Sequence, residues 1–341
     1  MNKTVDVADA VGMILAHDIT EIRQGEFKGR AFKKGHIVAP EDIEHLKRLG
    51  KEHLFVLDIE PGYLHENEAA VMMADAFSGD GVFWEGGPKE GKIELRTKWP
   101  GLLKVEVAAL TQVNLLADIM CASRHTNTTV EKGMVVAATR AIPLVVAAQP
   151  VEKAVDIARK CGGLFRVKPF RVAKTGLIIT GNEVYNHLVE DKFEAVLRKK
   201  ITDIGSEVFG VAFAPDDPDK IEQEIRRFLI DGADLILTSG GMSVDPDDVT
   251  RQGIRQVGGE TALYGAPVLP GAMFMLSYVN GIPILGIPAC GMYHSITILD
   301  LVLPRVLAGE SLTREDIAGL GHGGLCLNCK TCHYPVCPFG K

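Results

Sequence analysis

Residues 234–248 read Asp-Leu-Ile-Leu-Thr-Ser-Gly-Gly-Met-Ser-Val-Asp-Pro-Asp-Asp. A short apolar strand, Leu235 to Leu237, runs into two hydroxyls, Thr238 and Ser239. Gly240, Gly241, Ser243 and the carboxylates Asp245, Asp247 and Asp248 follow. Glycines let a backbone turn tightly and bring its N–H groups against a ligand, and the hydroxyls add hydrogen bonds. Carboxylates repel a bare phosphate, so three of them beside an anion cradle point to a bridging hard cation such as Mg2+. The same residues also suit a surface turn in which Asp247 or Asp248 caps a helix over 249–257. The two readings are compatible.

Outward from this loop, strand and helix patterns alternate from about Lys174 to Leu307. Gly176 to Thr180 is a buried apolar strand. Phe193, Val196, Leu197, Ile201 and Ile204 follow helical spacing, with Gly205 as the stop. Glu207 to Phe213 is a second strand. Asp217-Pro218 predicts an N-cap followed by proline in the first turn, and Ile221, Ile225, Phe228 and Leu229 give that helix its apolar stripe. Ile282 to Ile287 is a further strand, followed by an apolar helix over Met292 to Leu303. Such alternation predicts an α/β fold, a largely parallel sheet with helices on both faces. Four polar loops each follow a strand: Thr180-Gly181-Asn182-Glu183, Ala214 to Pro218, the glycine–aspartate loop, and Pro288-Ala289-Cys290-Gly291. Parallel strands place all four at one carboxyl edge, where open α/β sheets bind ligands. Thr180, Asn182, Glu183, Ser239, Asp245, Asp247 and Asp248 are therefore expected around one crevice.

The chain of 341 residues is 46% hydrophobic and 24% charged, long enough for several cores. A net charge of −7 without a long basic run argues against nucleic acid as partner. The first ten residues lack the apolar core of a signal peptide. The apolar stretch 134–151 is broken by Thr139, Arg140, Pro143 and Pro150, so no membrane span is expected and the protein is read as cytoplasmic. Toward the N-terminus, Pro40 to Leu49 predicts a helix stopped by Gly50, followed by a strand over His53 to Leu57. Glu66 to Phe77 and Val151 to Lys160 read as helices, Ile93 to Thr97 and Leu103 to Val107 as strands. The expected organisation is an N-terminal α/β segment over 1–63, an α+β domain over 64–172, the α/β domain over 173–310, and a hinge with a Cys-rich tail over 311–341. The histidines at 36, 45, 53 and 65 lack ligand spacing and read as solvated.

Taken in order, these loops resemble the molybdopterin-binding domain of the molybdenum cofactor biosynthesis family. The closest resemblance is to the molybdopterin molybdenumtransferases, a group that includes the C-terminal domain of gephyrin. Thr180-Gly-Asn-Glu183 resembles that family's T-G-[DN]-E strand end. Leu237-Thr-Ser-Gly-Gly-Met-Ser-Val244 with Asp248 resembles its T-S-G-G-x-S loop. Pro270-Gly271 falls where the family has a proline–glycine anion loop, and Gly286-Ile-Pro-Ala-Cys-Gly291 stands where it reads G-L-P-G-N-P. Residues 31–57 also resemble the family's N-terminal region. The resemblance covers about 174–308. It implies a pterin dithiolene held by its phosphate or adenylate on Thr180, Gly181, Asn182, Thr238, Ser239, Gly240, Gly241, Ser243, Pro270, Gly271, Pro288, Ala289 and Cys290. It further implies Mg2+ held by Asp245, Asp247 or Asp248, with Glu183 positioning the pterin or a water. The implied reaction is entry of molybdate into adenylylated molybdopterin with release of AMP. A homo-oligomer and a recipient molybdoenzyme are the expected protein partners.

The chain departs from the family at two points. The proline–glycine loop, Ala266 to Phe274, carries none of the lysines that suit an oxyanion. The asparagine of the last motif is replaced by Ala289 or Cys290. A non-catalytic carrier, sensor or maturation factor for the finished molybdenum cofactor tolerates both losses and is the alternative reading. In it Cys290 is either a molybdenum or sulfur ligand or inert packing.

Four of the seven cysteines crowd the last sixteen residues, as Cys326-x2-Cys329-x2-Cys332-x4-Cys337. In a cytosolic chain this spacing reads as a metal site rather than a disulfide framework. It resembles a ferredoxin-type iron–sulfur run with one extra residue in the last gap, and it also suits tetrahedral zinc, with His333 as a substitute ligand. His322 is a weaker ligand candidate. Gly319 to Gly324 reads as a flexible hinge, and Cys121 and Cys161 as core residues.

Overall fold

The computed structural model describes residues 2–23, 27–57, 59–242 and 249–341. Ser243, Asp245, Asp247 and Asp248 therefore lie outside the described residues. Packing divides the chain into two units, one of residues 1–96, 106–123 and 135–164, the other of 97–105, 124–134 and 165–341.

In the second unit, with elements numbered from its α/β body, the order is β1 (Lys174–Thr180), α1 (Phe193–Asp203), β2 (Glu207–Ala214), α2 (Pro218–Ile230), β3 (Leu235–Ser239), α3 (Thr250–Gln256), β4 (Glu260–Tyr264), β5 (Met275–Val279), β6 (Ile282–Ile287) and α4 (Ile298–Leu307). The sheet runs β2–β1–β3–β6–β5–β4. β1 is parallel to β2 and β3, and β3 is parallel to β6. β5 is antiparallel to both β6 and β4. The expected parallel strands are all present, whereas β4 and β5 fall in a stretch whose sequence reads as irregular.

The period of two along each strand sorts its side chains between two cores. Leu177, Ile179, Leu235, Leu237, Leu285 and Ile287 face one side, packed with Leu197 and Ile201 of α1 and Leu299 and Val302 of α4. Ile178, Ile236 and Ile284 face the other, against Ile221, Ile225 and Phe228 of α2 and Ile254 of α3. Each such side chain taken from water contributes about 1.5–3 kcal/mol. Two strand glycines make room for one ring: a Cβ on Gly176 would stand 2.8 Å from Phe228, and one on Gly210 2.7 Å from it.

Helix starts follow capping chemistry. Asp217 accepts from the Asp219 and Lys220 amides ahead of Pro218. The apolar run expected to be helical from Met292 begins its helix only at Ile298. There Thr297 and Asp300 form a capping box, and residues 293–296 stay irregular.

Gly101–Val105 pairs with Thr128–Val130 and Phe165–Lys168 in a three-stranded antiparallel sheet. These pairings bring 97–105 and 124–134, expected within the 64–172 region, into the α/β unit. Lys104 reinforces the arrangement through Glu310 at 2.6 Å. The strand expected over 103–107 is thus shifted, and Val107 opens the helix Val107–Asn114.

In the first unit the helices Asp42–Arg48, Glu66–Phe77 and Ala148–Lys160 and the strand His53–Leu57 occupy the expected positions. A core of Val7, Leu15, Ile19, Phe32, Leu46 and Val56 closes its N-terminal part. Cys121 is buried within the same unit, and burial pushes its thiol up to about 12. Among the described residues, no helix is long and apolar enough to cross a membrane.

Candidate functional site

The parallel strands β1, β2, β3 and β6 do deliver their following loops to one edge. β3 ends in Thr238 and Ser239, both 0% exposed, and among the described residues neither hydroxyl has a hydrogen-bond partner. The chain then turns through Gly240 (φ +81°) and Gly241 (φ +55°). A Cβ on Gly240 would stand 2.6 Å from the Thr180 carbonyl oxygen, and one on Gly241 would strike Thr250 Oγ1.

Thr180 Oγ1 donates to the Ser239 carbonyl at 2.5 Å and lies 2.9 Å from Thr250 Oγ1. Its single proton is used on Ser239, so Thr250 is the donor in the second bond. Thr180 thus braces the glycine turn from beneath. Asn182 is similarly engaged. Its amide donates to the Asp216 carboxylate at 2.9 Å, and the Asp216 amide donates to Asn182 Oδ1 at 3.2 Å. This reciprocal pair joins the loop after β1 to the loop after β2. The Glu183 carboxylate folds back over Gly181, where a Cβ would stand 2.8 Å from its Oε1.

A cavity of about 570 Å3 opens beside the glycine turn, a size typical of small-molecule sites. Of the residues expected in the site it gathers Gly241, Pro270, Gly271, Pro288, Ala289 and Cys290. Thr180, Gly181, Asn182, Glu183, Thr238, Ser239 and Gly240 stand at or beneath the same edge, outside its lining. Gly271 (φ +126°) packs against Ile298, and a Cβ there would come within 2.9 Å of that side chain. Leu269–Pro270 is a cis peptide bond.

Sequence reading missed Met242, Met273, His294, Leu325, Cys326 and Asn328 in the lining, and Thr250 beneath the turn. Met273 carries a local signal as part of the proline–glycine loop, and so does Met242 as part of the glycine motif. It is buried over Gly286, where a Cβ would stand 2.9 Å from its sulfur. Its carbonyl accepts from Tyr264 Oη at 2.8 Å, and Arg251 stacks on the Tyr264 ring at 4.2 Å. Among the described lining residues there is no lysine or arginine, and His294 is the one basic side chain. Burial pushes the Cys290 thiol up, which disfavours its thiolate.

The C-terminal segment is seated on the α/β body rather than hung from a hinge. Gly319–Gly321 forms a 3-10 turn. The Leu269 amide donates to the Gly324 carbonyl and the Cys326 amide to the Leu269 carbonyl, both at 2.8 Å. Phe339 is buried in the core that holds Leu299 and Leu301. Gly324 is required by this docking, because a Cβ would stand 2.6 Å from the Pro267 carbonyl oxygen. Cys326, Cys329, Cys332 and Cys337 all line a second cavity of about 310 Å3, with His333. Among the described residues, no three His, Cys, Asp or Glu side chains stand close enough together to hold one ion.

Comparison with known proteins bears on the strand-end loops. Residues 176–308 match the family described as a probable molybdopterin binding domain. This segment is similar to the molybdopterin-binding domains of the molybdenum cofactor biosynthesis family. The molybdopterin-binding segment is preceded, over residues 4–58, by a match to a domain of unknown function. Similar curated proteins include a CinA-like protein of Mycobacterium sp. (strain JLS), 35% identical over 78 residues, which are 23% of this chain and 18% of that protein. Another is the CinA-like protein of Mycolicibacterium vanbaalenii, 31% identical over 96 residues, or 28% of this chain and 23% of that protein. The match spans less than a quarter of these relatives' own length. Among solved structures, the molybdopterin biosynthesis enzyme MoaB of Thermus thermophilus aligns with a TM-score of 0.33 and 22% identity, covering 41% of this chain and 98% of that one. The molybdopterin biosynthesis protein MoeA of Pyrococcus horikosii aligns with a TM-score of 0.33 and 15% identity, covering 91% of this chain and 75% of that one.

Proposed function

We propose that this chain acts in molybdenum cofactor biosynthesis, binding molybdopterin at the carboxyl edge of the sheet and inserting molybdate into its adenylylated form. The observation that carries the reading is the pair of buried hydroxyls, Thr238 and Ser239, without a hydrogen-bond partner among the described residues and placed just before a glycine turn that admits no side chain. Buried polar groups without partners are costly, so a ligand at the turn that pairs either of them gains affinity. The Gly240–Gly241 amides hold the phosphate or adenylate. Thr180 and Thr250 fix the turn, and the Asn182–Asp216 pair fixes the neighbouring loop so that Glu183 positions the pterin or a water. Asp245, Asp247 or Asp248 would hold Mg2+. That ion, when bound, supplies neutralisation of charge on the phosphoanhydride. Pro270–Gly271 and Pro288–Cys290 form the apolar walls.

Two measurements test this. Molybdate added to protein loaded with adenylylated molybdopterin should release AMP. Single Asn variants at Asp245, Asp247 and Asp248 should weaken Mg2+-dependent binding in titration calorimetry. An unchanged Mg2+ dependence at all three positions removes the cation from the reading.

One observation favours a second reading, a carrier or sensor of the finished cofactor. No lysine or arginine lines the cavity among the described residues, while the thiols of Cys290 and Cys326 do. In this reading the tail thiolates hold zinc or an iron–sulfur cluster. Tight pterin binding without AMP release supports it and removes the transferase reading.

A further inference from the structure

The two cavities of the α/β unit are neighbours with a common wall. His294, Cys326 and Asn328 line both the crevice beside Pro270–Gly271 and the cavity that holds the four tail thiols. The backbone makes the same connection. Leu269 lies in the loop that carries Pro270, and through its amide and carbonyl it binds Gly324 and Cys326 on either side of a Leu269–Leu325 bridge. At the far end of the segment Tyr334 Oη donates to the Asp300 carbonyl at 3.2 Å, and Phe339 is 3% exposed. The segment is thus fixed at 324–326 and at 334–339. Between these anchors Cys329 and Cys332 are exposed, and Asn328 takes the left-handed conformation (φ +49°).

Thiolates bind zinc at about 2.3 Å, and among the described residues no three His, Cys, Asp or Glu side chains now stand close enough to share one ion. An ion that satisfied all four would therefore draw the exposed span 328–333 toward its fixed ends. One of those ends is Cys326, which is also crevice wall.

We propose that the tail is a metal-set wall of the ligand crevice: thiolate ligation by Cys326, Cys329, Cys332 and Cys337 pulls 328–333 inward and narrows access to Cys290. Each ligating thiol gives its proton to solvent, so binding releases protons and strengthens as pH rises. The inference rests on the reading of the tail as a metal site and is independent of which pterin the crevice takes.

The test uses the full chain without pterin. Metal-free protein is compared with protein equilibrated with zinc and with protein reconstituted anaerobically with iron and sulfide. Metal content is measured after gel filtration, and the alkylation rate of each cysteine is followed by peptide mass spectrometry. The expected result is one equivalent of zinc or one iron–sulfur cluster, protection of the four tail thiols, and a severalfold slower alkylation of Cys290. The C329S/C332S variant changes only exposed positions. In it, Cys290 should react at the metal-free rate with or without metal. If neither metal binds stoichiometrically, the metal reading falls and this inference with it. If metal protects the tail thiols while Cys290 is unchanged, the coupling is wrong and the metal reading survives. If Cys290 is still protected in the variant, it binds metal directly and the coupling is again wrong.

Discussion

Thr180 and Thr250, seventy residues apart in sequence, meet hydroxyl to hydroxyl at 2.9 Å beneath the glycine turn. The contact ties the end of β1 to the start of α3, so the turn between Ser239 and the acidic loop is held from two elements. Thr250→Val keeps the shape and removes the donor. It should cost about 1 kcal/mol in denaturant unfolding and weaken molybdopterin binding by more than that loss of stability explains. Equal binding by the variant and the parent would show that the turn is positioned without this bond.

Phe228 fills the space left by Gly176 and Gly210. Phe228→Ala should destabilise the protein by about 3–5 kcal/mol. Gly176→Val, which drives a branched side chain into the ring, should also destabilise it, through overpacking. Chemical denaturation measures both. A neutral Gly176→Val would mean that α2 can shift away from the sheet at little cost.

Asp316 gives a pH signature. Burial alone would raise its carboxyl, but the Thr313 amide and hydroxyl and the Arg305 guanidinium hold it down to about 2. A carboxylate depressed in the folded state stabilises above its unfolded value near 3.8, and that contribution is lost as pH falls toward about 2. Asp316→Asn should therefore lower stability at neutral pH by about 1 kcal/mol, allowing for solvent screening of the partly exposed group. It should also flatten the decline between about pH 4 and pH 2. A parallel acid limb in both proteins would contradict the assignment. Arg305, 7% exposed, keeps its second partner, Glu310, at 2.8 Å in the variant.

Ser239→Ala removes a buried hydroxyl that has no partner among the described residues. The free protein should become more stable, by up to about 1–3 kcal/mol, while affinity for molybdopterin falls. Thermal melts with and without ligand read both effects. A variant that is destabilised when free would show that the hydroxyl is satisfied in solution.

What could be read from sequence follows from how local each signal is. Leu177 to Thr180 and Leu235 to Ser239 are continuous apolar runs that meet hydroxyls and glycines, so strand, turn and edge were legible together. β4 and β5 were not. Polar Thr261, Ser277 and Tyr278 break the apolar runs, and the partner of β5 is defined by register with β6. The apolar Met292 and Ile296 suggest an earlier start for helix α4, while the start is set by the capping box of Thr297 and Asp300. Glycine content made 319–324 look like a hinge. Gly324 is instead glycine because two carbonyl groups crowd the place of its side chain. Thr250, His294 and Asn328 reach the site only through tertiary packing.

The family match ends at residue 308, yet Leu325, Cys326 and Asn328 also line the cavity. The lining of this crevice is therefore written partly outside the segment that matches the family. Two proteins with the same sheet and the same glycine turn, but different C-terminal extensions, would offer their ligands different entrances. Diversification of what enters could proceed by exchange of a short appended stretch, with no change to the strands of the sheet.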